Sequence, residues 1–153
     1  MKETPGVAAF DAFVHAYAAV LRQIEEDVEA EGSMSLGWYD VLLTLERAPG
    51  RRLRMQDLGN EVVLSRSRVS RIVDELERQG FVKREPCPSD RRVIHAEITR
   101  EGRRALRRAR PVHLRGIEEH FASALSPDEL DTLRGALERV TDANRARRTT
   151  PVR

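Results

Sequence analysis

The chain has 153 residues, of which 40% are hydrophobic, 34% charged and 5% aromatic, a composition expected of one soluble globular domain with a Leu, Val, Ile and Ala core. No apolar run approaches the roughly 18 residues of a membrane span, and no apolar signal core follows Met1-Lys2-Glu3-Thr4-Pro5. One cysteine, Cys87, excludes an intramolecular disulfide and a multi-cysteine metal cage, so the expectation is a cytoplasmic protein without a membrane partner. The formal net charge of +2 conceals a segregation. Residues 51–115 carry 18 basic against 9 acidic side chains, residues 1–50 carry 3 against 9, and residues 116–153 carry 6 against 7. Lys2 and Lys83 are the only lysines, which codon usage explains, but codon usage does not explain why basic residues outnumber acids two to one only in the middle. A basic centre between acidic flanks points to a polyanionic partner.

From about Gly6 to Glu29, Phe10, Phe13, Val14, Tyr17, Leu21, Ile24 and Val28 recur at three- and four-residue steps, which predicts one amphipathic helix. Gly32 and Ser33 end it. Ser35 caps a second helix over Leu36 to Arg47, apolar around much of its circumference and therefore expected to be buried on more than one side. After the Ala48-Pro49-Gly50 break, a short helix over Met55 to Glu61 turns Leu58 and Val62 inward. The next helix runs from Ser65 to Gln79 and stops at Gly80, a left-handed terminator. Val69, Ile72, Val73 and Leu76 form its inward stripe, while Ser65, Arg66, Ser67, Arg68, Ser70 and Arg71 make a face of hydroxyls and guanidinium groups.

From Phe81 the period becomes two, and Phe81 to Glu85 pairs with Ile94 to Ile98 as a hairpin around the Pro86-Cys87-Pro88 tip. Thr99 caps a helical stretch from Arg100 to about Leu125, in which Pro111 is expected to produce a kink or a break into two helices. Ser126-Pro127-Asp128-Glu129 has capping-box order, and Leu130, Leu133, Leu137 and Val140 mark a final helix. Arg145 to Arg153 reads as a basic, unpatterned, frayed tail. The expected fold class is thus mainly α with a small β-hairpin wing, about six helices in all.

Short helix, turn, second helix and hairpin in that order describe a winged helix-turn-helix. The major groove of duplex DNA admits one α-helix, and Arg and Ser side chains near its N-terminal end can read base edges there. The expected DNA contacts are Ser65, Arg66, Ser67, Arg68, Ser70 and Arg71, with Arg91 and Arg92 of the hairpin tip directed to the adjoining minor groove. The sequence alone leaves open which of those two arginines enters it.

Three stretches resemble the MarR family of bacterial transcription regulators over nearly the whole chain. They are Ser35 to Leu43, Leu53 to Leu58, and Leu64 to Glu77 followed by Gly80-Phe81-Val82-Lys83-Arg84, Asp90-Arg91-Arg92 and Ile98-Thr99-Arg100-Glu101-Gly102. The resemblance implies a homodimer with residues 1–33 and 101–144 as dimerisation helices, 34–100 as the DNA-binding domain and 145–153 as a flexible tail. It implies a near-palindromic operator in double-stranded DNA, Arg92 as the wing arginine, and Asp74 and Asp90 as carboxylates that orient arginines. It also implies a cleft for a small aromatic or anionic effector, bordered by His15, Trp38 and Tyr39, whose binding releases a repressor from DNA.

Two alternatives stand beside this. The protein can be an effector-independent regulator or one under redox control through Cys87, or the winged domain can bind protein instead of DNA. No nucleophile motif, phosphate-cradling loop or His-Glu-x-x-His is present, so no enzyme is expected. His113 and His120 share a helix face without a carboxylate to complete a ligand set, so neither a metal site nor any other cofactor is expected.

Overall fold

Six helices and three short strands are described in the computed structural model, which covers residues 4–62 and 66–149. In chain order they are α1 (Pro5–Ala30), α2 (Leu36–Arg47), β1 (Arg52–Arg54), α3 (Met55–Glu61), α4 (Arg66–Arg78), β2 (Val82–Pro86), β3 (Ile94–Ile98), α5 (Arg100–His120) and α6 (Pro127–Thr149).

Caps set most helix boundaries. Thr4 Oγ1 accepts from the Val7 amide ahead of Pro5, and Ser35 Oγ accepts from the Trp38 amide. Ser126 and Glu129 bond reciprocally to start α6, the Ser126 amide donating to Glu129 Oε2 at 2.8 Å and the Glu129 amide to Ser126 Oγ at 3.3 Å. Gly80, with φ 73°, ends α4 in the left-handed region, and the Phe81 amide reaches back to the Leu76 carbonyl.

The sheet is antiparallel, with order β1-β3-β2. Pairing of Val82 with Ile98 through to Pro86 with Ile94 makes the expected hairpin, and Pro86 is tolerated at the end of an edge strand. β1 adds a third strand through Arg52–Glu97, Leu53–Ala96 and Arg54–His95, a feature the two-residue period did not announce.

One core joins α2, α3, α4, the sheet and the first half of α5. Leu42, Leu45, Leu58, Val73 and Leu76 are fully buried in it. α2 packs against α4, α5 and β3, in keeping with its broad apolar surface.

Three expectations about the C-terminal third need correction. α5 is not broken at Pro111; one helix spans it. The bond that proline removes would have gone to the Arg107 carbonyl on the exposed side, where water can serve it. Meanwhile Ala105, Leu106, Ala109, His113 and Gly116 hold the opposite side in contact with the rest of the chain. α5 ends at His120, not Leu125: Ser123 Oγ donates to the Glu119 carbonyl at 2.8 Å, and Ala122–Ala124 form a 3-10 turn. The supposed tail begins as helix, since α6 continues to Thr149 and Arg145 pairs with Glu61 of α3 at 3.4 Å.

Candidate nucleic-acid interface

α4 presents its two faces as its spacing requires. Val69, Ile72, Val73 and Leu76 are buried, and Ser67, Arg68, Ser70 and Arg71 are exposed on the other side. Arg66 opens the helix, but its side chain and the whole of Ser65 lie outside the described residues.

The acids following this basic run are each turned to an internal partner. Asp74 Oδ1 stands 2.6 Å and Glu77 Oε2 2.9 Å from Arg84 Nη1, and the Arg84 guanidinium also donates to the Ser70 carbonyl at 3.3 Å. Arg84, on β2, is thereby lashed along α4 with only 23% of its side chain exposed. Glu75 Oε2 accepts from the Trp38 indole at 3.0 Å, tying α4 to α2. Three carboxylates that would repel phosphate are occupied elsewhere, and the outward face of the first two turns stays basic.

At the hairpin tip Asp90 grips Arg92 three times. The Arg92 amide and Nε each donate to Asp90 Oδ1 at 3.1 Å, and Nη2 donates to Oδ2 at 3.3 Å. These bonds hold the Asp90 carboxyl below the usual carboxylate range. The Arg92 side chain is nevertheless 91% exposed, a guanidinium aimed outward on a fixed stalk. Arg91 beside it is also exposed, with no such brace described.

The hairpin root meets α5 without spare room. Thr99 Oγ1 donates to the Gly80 carbonyl at 2.6 Å and accepts from the Gly102 amide at 3.0 Å. A Cβ on Gly102 would lie 2.1 Å from the Phe81 carbonyl oxygen, so only glycine fits there without a shift.

The family model described as MarR family matches residues 33–93. The HTH-type transcriptional regulator YkoM of Bacillus subtilis is 32% identical over 121 residues, covering 79% of this chain and 76% of that protein. The chain belongs to the MarR family. The transcriptional repressor MprA of Escherichia coli is 29% identical over 78% of this chain and 67% of its own length. The MarR-family regulator Sco3205 of Streptomyces coelicolor, solved in complex with DNA, is similar at 29% identity with a TM-score of 0.81, covering 94% of this chain and 90% of that one. As a MarR protein the chain is a DNA-binding transcriptional regulator with the winged-helix fold.

Of the residues expected at an effector cleft, the MarR fold does not bring all three together within one chain. Trp38 borders a cleft of about 570 Å³ between the end of α1, the start of α2 and α4, shared with Val28, Arg68, Arg71 and Glu75. Tyr39 instead lies in the core, its ring stacked on His113 at 3.8 Å between centroids. Burial pushes the Tyr39 hydroxyl up from its ordinary value. His15 is exposed on α1, its Nδ1 2.7 Å from the Asp11 carbonyl oxygen. Neither residue lines the Trp38 cleft.

Cys87 is half-buried at the tip, its Sγ 3.1 Å from Ser89 Oγ, and that bond lowers the thiol's pKa. The residue that sequence reasoning missed is Arg84. Its partners Asp74 and Glu77 are seven or more positions away on another element, and only the strand alternation across 82–86, which puts Arg84 on the side facing α4, pointed to it.

Proposed function

We propose that this MarR-family protein is a homodimeric repressor that holds a near-palindromic operator with two α4 helices and two Arg92 tips, and leaves it when a small effector binds. The carrying observation is the Asp90–Arg92 brace beside an α4 face cleared of free acids: an exposed guanidinium held in one pose is what a narrow, electronegative minor groove takes up with little loss of side-chain freedom. Ser67, Arg68, Ser70 and Arg71, with Ser65 and Arg66, are assigned to the major groove.

Dimerisation is supported by apolar surface that one chain does not cover. Val7, Phe10, Phe13, Val14 and Tyr17 of α1, Leu114 and Ile117 of α5, and Val140 of α6 are all at least 41% exposed, and α6 has no buried residue among those described. This is well beyond the scattered exposure normal for a monomer. The repressor sense follows the name of the similar MprA protein. The cleft beside Trp38 is the effector site in this reading, because a ligand there touches Arg68 and Arg71 and binds better when those arginines are not on DNA.

The test is to select bound duplexes from genomic fragments and titrate the best one. Arg92→Ala is expected to weaken binding by more than about 1 kcal/mol while the dimer persists. Wild-type affinity is expected to fall with salt at a log–log slope of several units. Unchanged affinity of Arg92→Ala at moderate salt would remove the wing from the mechanism, and a flat salt response would favour a protein partner over DNA. The half-buried, acidified Cys87 thiol supports a second reading, redox control, in which oxidant lowers operator affinity in the wild type and not in Cys87→Ser.

A further inference from the structure

The last turn of α5 carries a cluster that DNA binding does not use. His120 Nε2 lies 2.6 Å from Asp27 Oδ2 of α1, and Glu119 brings a carboxylate oxygen to the same place, all three donor atoms lying within 4.8 Å of one another. His113, the histidine that shares a helix face with His120, is elsewhere engaged: it is buried, its Nε2 3.0 Å from the Met34 carbonyl oxygen. The carboxylate the helix face lacked is supplied across the α1–α5 contact, from a residue 93 positions away.

We propose that Asp27, Glu119 and His120 form a site for one divalent first-row transition-metal ion, of the Zn²⁺ class. One imidazole nitrogen and two carboxylate oxygens suit that class better than Ca²⁺ or Mg²⁺, which take all-oxygen shells. Three protein ligands leave a fourth position for water. Tetrahedral coordination at about 2.0–2.2 Å places donor atoms roughly 3.3–3.5 Å apart, so the His120–Asp27 contact opens by under about 1 Å to admit the ion.

A plain His–Asp pair accounts for two of these groups, while Glu119 faces both this pair and the Arg115 guanidinium. The charge around the site agrees with a cation. Asp27, Glu31 and Glu119 are three carboxylates around the one guanidinium of Arg115, which is hydrogen-bonded to Glu31 and shares its charge with Glu119 and Asp27, so these groups keep an excess of negative charge. Side-chain exposures of 23% for His120 and 38% for Asp27 leave an entry path past the exposed Glu119.

The site is tested on the full chain, stripped with chelator and titrated in the absence of DNA with Co²⁺, read by its visible absorption, and with Zn²⁺ in competition. The expected result is one ion per chain, displaced by Zn²⁺. Affinity should fall at least about tenfold in Glu119→Gln, an exposed change that spares the fold, and in His120→Gln checked for an unchanged melt without metal. Cys87→Ser should bind like wild type. Absence of saturable binding at micromolar metal overturns the proposal, as does binding that survives both ligand substitutions or is lost in Cys87→Ser. Because no DNA is present, these outcomes are independent of whether the operator reading holds.

Discussion

α4 and α1 have the same kind of periodic apolar stripe, yet the folded chain treats them in opposite ways. In α4 all four stripe residues are buried by the chain's own α2, α3 and β2, which leaves the polar face to the outside. In α1 only Ile24 and Val28 are buried, and the stripe from Val7 to Tyr17 faces outward. A stripe therefore tells that a helix needs a cover, without telling which molecule supplies it.

That contrast can be broken from the α4 side first. Leu76→Ala removes a fully buried side chain from the shared core and is expected to cost about 2–5 kcal/mol in denaturant unfolding. Next in size, the double substitution Phe10→Ser with Phe13→Ser is expected to weaken self-association by about 1.5–3 kcal/mol per ring removed from the interface, seen as dissociation in sedimentation velocity. The isolated chain should keep its helical circular dichroism. If the double variant stayed dimeric at nanomolar protein, α1 would not be the interface. Asp74→Asn is a smaller change, since Glu77 still holds Arg84: operator affinity is expected to drop by under about 1 kcal/mol, while Arg84→Ala drops it further.

The smallest effect concerns the seam between the two regions, where His113 of α5 meets the α1–α2 connection at Met34. Burial lowers the His113 pKa below its ordinary 6.5, outweighing the hydrogen bond to Met34. The unfolded chain then binds the proton more readily, so this residue's share of stability is present above about pH 6.5 and is lost as the pH falls below it. Melting temperatures from pH 7.5 to 5.5 should fall less steeply in His113→Gln than in the wild type; equal slopes would show that another group titrates.

Much of the fold was legible because most helices carry local signals: Ser35, Ser126 with Glu129, Gly80 and the α4 stripe all act within a few residues. The misses came from partners distant in sequence. β1 has one inward residue, Leu53, too few to show a period, and its pairing strand lies some forty positions on. Pro111 left a kink or a break as the expectation, and the break failed because the packing that holds both flanks was not visible in the sequence. The wing site was legible in residue type, with Asp90 and Arg92 two positions apart, whereas the Arg84 clamp and the Trp38–Glu75 bond join elements that no spacing rule links.

The unbroken α5 has a mechanical consequence. Its first turn is wedged beneath the Phe81 carbonyl at the wing root by Gly102, and its last turn sits beside the end of α1. Twenty-one residues make a rod of about 32 Å, so tilting it by about 5° at the far end swings the wing root by about 3 Å, a hydrogen bond's length. α5 thus runs as one continuous helix from the wing root to the end of α1, a direct covalent path between the His120 end and the wing.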